Sequence, residues 1–441
     1  MIKSMFKVVR LVFFTSLLAG VLVPTTVSAT AQSIEVLHVE GTIVPIVADY
    51  IDRGIEQAEA KGDAIVIIQL STPGGLLDTT QRIVEQILNA KVPVVVYVSP
   101  AGGWAGSAGT FITLASHVAA MAPGSRIGAA TPVAMEGEMS EEMKRKITED
   151  AAAWIRSIAE MRGRDPDHAE LAVREGKSYT AGEALENNLI DLQVDSLQSL
   201  ISQLNGMEVT LITGEEIILN TESYALNRTE MTLIERFLHA ISNPNIAYVL
   251  LTLGTIGIIA EIYSPGTFFP GITGAISLLL AFYSLGVLNA YWGGILLILL
   301  AFGLFIGEVL TTTFGLFTAG GIVALVLGSL ILFPGGGPMF QVDPWLIATV
   351  VIIIAALFAF VMQRVIGAHR RQAKTGREEL IGKAAVVKEA LEPEGTVFFK
   401  GERWKAISDK GRVKPGETVI ITKVDGLTLY VTKKTLKEVN K

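Results

Sequence analysis

Residues 64–75 read AIVIIQLSTPGG, and residues 93–109 read PVVVYVSPAGGWAGSAG. Each stretch is a short apolar run that ends in a turn of glycine, proline and serine, which is typical of a buried strand followed by a sharp turn. The second turn leads into an apolar helical stretch, so Ser107 would stand at a strand-to-helix turn. The two stretches therefore predict neighbouring strands of an α/β sheet, with a serine and a glycine pair at their carboxyl ends.

Strand-like and helix-like patterns alternate from residue 32 to residue 205. The predicted strands cover 34–39, 64–70, 92–98 and 116–121, and the predicted helices cover 45–61 and 77–89. This alternation is typical of βαβ units with a largely parallel sheet. We therefore assign 32–205 to an α/β domain and 206–243 to a polar connector of undefined structure.

The second half of the chain is strongly apolar. Half of the 441 residues are hydrophobic and the mean hydropathy is +0.48, too high for an ordinary soluble protein. Five apolar segments account for this value, near 245–263, 268–288, 291–311, 315–333 and 345–362. Because each is about as long as a bilayer core requires, we predict a five-helix transmembrane region over 244–363.

Charged residues near the two ends predict the orientation in the membrane. A basic stretch and an apolar core predict a secretory signal peptide over 1–31, or else an uncleaved anchor. The linker 364–379 carries Arg364, Arg370, Arg371, Lys374 and Arg377, and no acidic residue lies between the first and the last of these. The positive-inside rule places this linker in the cytoplasm, so five spans would put the α/β domain outside the cytoplasm.

The C-terminal segment 380–441 alternates short strand patterns with glycine turns. Five strands are predicted, over 382–388, 395–399, 403–408, 418–424 and 427–432, which fits a small β-barrel of the OB type. OB folds often bind nucleic acid through basic grooves and stacked aromatics. Here acidic residues are interspersed and the net charge is −7, so Phe398, Phe399 and Trp404 are expected in the core, with no nucleic-acid partner.

Two carboxylates lie within the apolar region. Glu261 and Glu308 each precede a helix that begins at a glycine, Gly274 or Gly321, by thirteen positions (274 − 261 and 321 − 308). This spacing indicates a duplicated helical hairpin. Intramembrane carboxylates can mark proton or ion pathways, but a position near a segment end also suits a cap, and we favour that structural role.

The absence of cysteine excludes thiolate catalysis, and the position of Ser107 at a strand-to-helix turn makes it the candidate nucleophile. A serine hydroxyl needs a base to take its proton, and none of the five histidines is well placed for that. Lysine can serve when burial favours its neutral amine. The candidates are Lys144 and Lys146, of which Lys146 is closer to an apolar helix, although a lysine in such a charged run is ordinarily solvated.

The glycine pair suggests how a developing negative charge could be stabilised. Gly74 and Gly75 can present backbone N–H groups with no side chain in the way, and the N–H of Ala108 follows the serine directly. Such donors are what an oxyanion hole requires. This chemistry needs no metal, nucleotide or other cofactor.

These residues, taken in order, resemble the long-form NfeD family of membrane-bound serine proteases, whose catalytic domain belongs to the Clp protease and signal peptide peptidase A fold group. The resemblance covers nearly the whole mature chain. Its matching elements are TPGG at 72–75, AGSAG at 105–109, MAPG at 121–124 with Ile127 and Gly128, KIT at 146–148, Leu185 to Asp191 after Thr180 and Ala181, EIYSPG at 261–266, and GERWKA at 401–406.

The resemblance implies a Clp/crotonase-like α/β domain and a C-terminal OB-fold NfeD domain. It implies Ser107 as nucleophile and Lys146 as general base of an extracytoplasmic, membrane-anchored endopeptidase. It further implies cleavage of hydrophobic segments, a stomatin- or flotillin-like membrane partner, and a homo-oligomeric protease domain. Three alternatives stay open: a non-catalytic scaffold for such a partner, a crotonase-like acyl-CoA enzyme, and a transporter that uses Glu261 and Glu308.

Overall fold

The computed structural model describes residues 33–133, 140–222, 224–311, 315–334, 341–369 and 377–433. These residues fall into two compact units, which are described separately below. One unit holds the N-terminal α/β domain and most of the apolar helices, and the other holds the end of the last apolar helix and the C-terminal barrel. The predicted signal peptide, 1–31, lies outside the described residues.

The first unit begins with alternating strands and helices. In chain order these are β1 Ser33–Glu40, α1 Pro45–Lys61, β2 Ile65–Ser71, α2 Leu77–Asn89, β3 Val94–Val98, β4 Trp104–Ala105, α3 Ala108–Ala115, β5 Val118–Met121, β6 Arg126–Ile127, α4 Glu141–Met161, α5 Pro166–Arg174, β7 Tyr179–Thr180, α6 Ala181–Glu186, β8 Leu192–Gln193, α7 Leu197–Leu204, β9 Glu208–Thr210, β10 Glu216–Ile218, β11 Ala225–Thr229 and α8 Leu233–Ile241.

The main sheet has six strands in the order β11-β1-β2-β3-β5-β8, and every neighbouring pair is parallel. The predicted parallel α/β sheet is therefore confirmed. All five residues of β3 are buried, because helices or loops cover both faces of the sheet. Alternate residues enter two cores: Val94 and Val96 pack on one face, and Val95 and Tyr97 pack on the other.

The edge strand β11 comes from the segment predicted as a connector. It pairs in parallel with β1, in a register that sets Ser33 opposite Ala225. Its sequence, ALNRT, is short and mostly exposed, so it lacks the apolar alternation that marks a strand. The antiparallel pair β9–β10 also lies in this segment and adds Val209 to the second core.

The C-terminal end of α3 is held by two arginines. Arg164, only 3% exposed, donates to the carbonyls of Leu114 and Ser116 at 2.7 and 2.9 Å and to Asp191 Oδ2 at 2.7 Å. Arg162 Nε donates to the carbonyl of Ala115 at 2.8 Å. The last carbonyls of a helix have no partner within it and carry partial negative charge, so these cations stabilise the end of α3.

Five apolar helices follow the α/β domain. They are α9 Pro244–Tyr263, α10 Phe269–Val287, α11 Trp292–Leu310, α12 Leu316–Leu330 and α13 Pro344–His369. Of the described residues, only α9 and α10 form helices that are long and apolar enough to span a bilayer by length and composition. The other apolar stretches are Trp292–Glu308, Leu316–Leu330 and Pro344–Phe360.

The prediction of five membrane-spanning helices is therefore met only in part. The shortest of them, α12, has 15 residues and rises roughly 22 Å at 1.5 Å per residue. A bilayer core is about 30 Å thick. The apolar run of α12 ends where proline and glycine follow, at 334–338, so the sequence itself shortens this helix.

The hairpins α9–α10 and α11–α12 repeat one close contact. A Cβ added to Gly274 would lie 2.9 Å from the carbonyl oxygen of Gly254, and one added to Gly321 would lie 3.1 Å from that of Ala301. Both pairs are related by the same offset of 47 residues (321 − 274 and 301 − 254). The repeated geometry supports the duplicated hairpin, in which a glycine lets two helices approach closely.

Glu261 closes the turn between α9 and α10. Its carboxylate accepts hydrogen bonds from the N–H of Gly266 and the hydroxyl of Thr267, each at 3.1 Å. Its side chain also packs against Gly271, where an added Cβ would meet the Glu261 Cγ at 2.7 Å. These contacts support the structural role for this carboxylate.

The C-terminal segment forms a closed five-stranded barrel in the order β12-β13-β14-β16-β15. Its strands are β12 Ala384–Glu389, β13 Glu394–Phe399, β14 Glu402–Ser408, β15 Thr418–Asp425 and β16 Thr428–Lys433. The predicted small barrel is confirmed, and Phe399 lies in its core with Trp404 packed against it. Phe398 was expected in the core but is 39% exposed, because successive strand residues point to opposite faces.

We predict that Arg164→Met will destabilise the protein by about 3–5 kcal/mol, because the carboxylate of Asp191 and two carbonyls lose a buried cation. For a domain of this size, that loss lowers the Tm by roughly 10 °C or more. Thermal unfolding of the full-length protein in detergent measures it. The matched control is Arg156→Met, which removes an exposed guanidinium that pairs with Glu160, Asp167 and Glu170 and should lower the Tm far less, since exposed ion pairs contribute little. Equal shifts for the two variants would contradict the assignment.

Candidate active site

Ser107 occupies a strained position immediately before α3. Its φ and ψ are 46° and −109°, a backbone conformation that residues other than glycine rarely adopt. Its N–H donates to the carbonyl of Ala129 at 2.8 Å, which helps to hold the turn in place. Its side chain is half-buried. A serine held in this way at a strand-to-helix turn resembles the nucleophile turn of hydrolases.

Gly74 approaches Ser107 more closely than any other residue type could. Its φ is +134°, and an added Cβ would lie 2.7 Å from the Ser107 Cβ and 3.3 Å from the Ser107 Oγ. Two hydrogen bonds fix this approach: the N–H of Thr72 donates to the carbonyl of Trp104 at 2.6 Å, and the N–H of Gly106 donates to that of Thr72 at 2.9 Å. The two loops quoted at the outset therefore meet at Ser107.

The three backbone donors predicted from the sequence differ in their availability. The N–H of Gly74 donates to Thr72 Oγ1 at 3.0 Å. The N–H groups of Gly75 and Ala108 have no hydrogen-bond partner in the described part of the chain. Ala108 is the first residue of α3, where N–H groups lack partners within the helix and the helix dipole favours negative charge. Gly75 and Ala108 therefore remain free to bind an anionic oxygen.

Ile43 supports the glycine loop from the side opposite Ser107. Its N–H donates to the carbonyl of Gly74 at 2.9 Å, and its carbonyl accepts from the N–H of Leu76 at 3.0 Å. A Cβ added to Gly75 would lie 2.1 Å from the Ile43 oxygen, so the loop cannot accommodate a side chain there. The conformation of Gly74 and Gly75 thus depends on the segment that follows β1.

Lys146 lies on α4, and its side chain is exposed to solvent. Helix α4 packs against α3, since the Trp154 ring stacks on Phe111 with centroids 4.5 Å apart. Among the described residues, no hydrogen bond joins Lys146 to Ser107. Residues 134–139, which precede α4, lie outside the described structure. The structure thus packs the helix that carries Lys146 against the helix that follows Ser107, but it does not show the buried lysine expected from the sequence.

Four of the five histidines have other partners. His117 Nδ1 accepts from the N–H of Val94 at 3.1 Å, and burial lowers the pKa of His117 to about 3. His168 contacts Asp165, His239 contacts Thr42, and the exposed His38 lies 3.6 Å from a carboxylate. None of these side chains is hydrogen-bonded to Ser107 in the described structure. The described part of the chain also contains no group of three or more acidic or histidine side chains that could hold a metal ion.

Reasoning from the sequence missed the role of Trp104. Its Nε1 donates to the carbonyl of Gly128 at 2.7 Å, and the Arg126 guanidinium lies 4.4 Å from the centre of its ring. A Cβ added to Gly106 would lie 2.4 Å from the indole, so Trp104 packs directly on the turn before Ser107. The sequence did hold a signal for this role, because a large aromatic residue within a run of glycine and alanine indicates a packing contact.

Three family descriptions match successive parts of the chain. Residues 33–210 match the N-terminal domain of NfeD1b, residues 245–364 match the NfeD integral membrane domain, and residues 377–433 match the NfeD-like C-terminal, partner-binding domain. Together with the observed sheet and closed barrel, these matches establish the multidomain layout of an α/β domain, a membrane domain and a barrel.

Two relatives align over nearly the full length. The membrane-bound protease PH1510 of Pyrococcus horikoshii is 39% identical over 407 residues, which cover 90% of this chain and 92% of the relative. Membrane protein NfeD1b of Bacillus subtilis is 28% identical over 455 residues, 95% of this chain and 96% of the relative. A solved structure of 1510-N, a membrane protease specific for a stomatin homologue from Pyrococcus horikoshii, is 31% identical. It covers 48% of this chain and 99% of its own, with a TM-score of 0.43.

We predict that Gly74→Ala will slow the reaction of Ser107 with a fluorophosphonate probe by about 100-fold or more, because displacement of the loop withdraws the free N–H of Gly75, an oxyanion donor. The added methyl group would collide with the Ser107 side chain and displace the loop. The matched control is Gly102→Ala, which shares a positive φ of +82° but has nothing within 4 Å of the added Cβ. If Gly102→Ala slows labelling as much, backbone strain rather than the contact with Ser107 is responsible.

We also predict that His117→Asn will reduce the acid sensitivity of the fold. Because the pKa of His117 is lowered from 6.5 to about 3 in the folded protein, the unfolded chain binds more protons between these values. Stability due to this residue therefore falls as the pH drops below 6.5. Asparagine retains an acceptor for the Val94 N–H but does not titrate. The Tm measured from pH 7.5 to pH 4 should fall less steeply for the variant; parallel curves would contradict the prediction.

Proposed function

The chain belongs to the long-form NfeD family, and on that premise we propose that it is a membrane-anchored serine endopeptidase. The observation that carries the proposal is the strained Ser107 beside Gly74, with the N–H groups of Gly75 and Ala108, one from each of the two loops, left without a partner in the described structure. This combination suits nucleophilic attack on a peptide carbonyl. The 39% identical relative, named a membrane-bound protease, supports the same reaction class.

In the proposed reaction, the neutral amine of Lys146 takes the proton of the Ser107 hydroxyl as Oγ attacks the scissile carbonyl. The tetrahedral oxyanion accepts hydrogen bonds from the N–H groups of Gly75 and Ala108. Gly74 provides the close approach, and its N–H becomes a third donor when it leaves Thr72 Oγ1. The Lys146 ammonium then protonates the departing amine, which leaves an acyl-enzyme on Ser107. Lys146 next activates a water molecule, whose attack releases the acid product and restores Ser107.

Lys146 acts as the base only in its neutral form, and removal of water from around an amine favours that form. In the single chain the side chain is exposed, so the proposal requires that something covers it. A second copy of the protease domain, with the substrate bound, would remove water from the amine. The expected homo-oligomer therefore becomes part of the mechanism.

We further propose that all five apolar helices cross the membrane, with the α/β domain outside the cytoplasm and the barrel inside it. The basic residues after α13 support this orientation. The proposed substrates are hydrophobic segments of a stomatin- or flotillin-like membrane protein. The support is that the related 1510-N protease is described as specific for a stomatin homologue and that residues 377–433 match a partner-binding domain.

One observation favours a second function, a non-catalytic scaffold for the same partner. The exposed side chain of Lys146 and the lack of a described hydrogen bond to Ser107 are what an idle site would show. A scaffold needs the barrel and the membrane helices but not the reactivity of Ser107. The two functions therefore differ in whether the serine reacts.

We predict that a fluorophosphonate probe will label the full-length protein in lipid nanodiscs and will not label Ser107→Ala. Lys146→Ala should label at least about 100-fold more slowly than the wild type, because a general base usually contributes a factor of this size. The matched control is Lys144→Ala, which removes an exposed lysine from the same turn of α4 and should label at the wild-type rate. Labelling that survives in Ser107→Ala would contradict the nucleophile, and absence of labelling in the wild type would favour the scaffold.

A further inference from the structure

Helix α8, Leu233–Ile241, has two faces with opposite chemistry. One face contacts the α/β domain: Glu235 pairs with Arg53 at 2.7 Å, and His239 Nε2 donates to the carbonyl of Thr42 at 3.2 Å. The other face carries large apolar side chains that stay exposed in the described part of the chain. Their exposures are 80% for Leu233, 71% for Ile234 and 48% for Phe237.

The position of α8 shows what lies next to this apolar face. The helix ends at Ile241, and α9, the first of the two helices that are long enough to span a bilayer, begins at Pro244. The hydroxyl of Ser284 in α10 donates to the carbonyl of Ile241, which ties α8 to the membrane helices. Exposed apolar residues continue beyond it on α9, at Ile246 and Leu253. The face of α8 is therefore continuous with a surface that meets lipid.

We propose that α8 lies in the membrane–water interface, with Leu233, Ile234 and Phe237 inserted among the lipids. A helix with one apolar and one polar face, next to the start of a transmembrane helix, is suited to that location. The polar face holds the α/β domain through Arg53 and Thr42, so the domain is seated on the bilayer at a fixed height. The occupant of the apolar face is thus the lipid surface itself.

The same helix reaches the glycine loop of the candidate active site through two contacts. His239 donates to the carbonyl of Thr42, and the next residue, Ile43, donates to the carbonyl of Gly74 and excludes any side chain at Gly75. Movement of α8 away from the α/β domain would therefore remove support from the loop. We assign to His239 a positioning role, which rests on the proposed function, whereas insertion of α8 into lipid does not.

Insertion is tested by the depth of a nitroxide spin label in full-length protein in nanodiscs. The chain has no cysteine, so Ile234→Cys and Ile218→Cys each provide a single labelling site. The two side chains are equally exposed, 71% and 69%, but Ile218 lies in the hairpin β9–β10 of the α/β domain. We expect the label at 234 to contact oxygen dissolved in lipid and to be shielded from an aqueous nickel reagent. The label at 218 should show the reverse, and an aqueous signature at both sites would overturn the proposal.

Coupling to the active site is tested by the rate of fluorophosphonate labelling in nanodiscs. Ile234→Glu and His239→Ala should each slow labelling by about fivefold or more, the lower end of typical coupling between sites. Ile218→Glu should label at the wild-type rate, and His239→Gln, whose amide N–H can still donate to Thr42, should recover most of the loss. Thermal unfolding confirms that each variant is folded before its rate is compared.

The two experiments separate the possible failures. If the wild type does not label at all, the proposed protease function fails, while the depth measurement still decides whether α8 enters lipid. If the label at 234 lies in lipid but Ile234→Glu and His239→Ala react at the wild-type rate, the interfacial location stands and the positioning role of His239 is overturned.

Discussion

The close approach of Gly74 to the side chain of Ser107 is the constraint on which the rest of the site depends. It requires β2 and β3 to be neighbours in a parallel register, because only then do the loops after both strands meet at one edge of the sheet. The backbone bonds of Thr72 with Trp104 and Gly106 carry that register beyond the ends of the strands. Any side chain at residue 74 would break the contact, so the position admits glycine for a packing reason as well as for its φ of +134°.

Helix α3 links this contact to the body of the domain. Its first residue offers a free N–H beside Ser107, and the carbonyls at its other end are neutralised by Arg162 and Arg164. A helix fixed at both ends holds its N-terminal dipole in place, and such preorganised dipoles are what stabilise a developing charge. These two arginines, far from the serine in sequence, thus support the geometry of the turn.

Elements with a local sequence pattern were predicted correctly, whereas features that depend on contacts with distant residues were not. Helices 45–61 and 77–89 were predicted to the residue, since their apolar periodicity and flanking glycine or proline are local signals. The edge strand β11 was missed because five mostly exposed residues carry no alternation. The hydrogen bond from the Gly74 N–H to Thr72 Oγ1 could not be predicted from the positions of these residues in the sequence. Lys146 is exposed in the described structure, and the burial that its proposed role requires could not be predicted from the linear sequence pattern.

Glu261 is better explained as a structural part of its turn than as part of a conduit. A proton or ion pathway needs a carboxylate that faces a cavity and is free to exchange partners. Glu261 instead has both oxygens bonded within its own turn, to Gly266 and Thr267. The glycine contacts at Gly274 and Gly321 bring the helices of each hairpin into tight register, which resists sliding. Val287 at the end of α10 packs against the core of the α/β domain, so the first hairpin directly contacts the domain that carries Ser107.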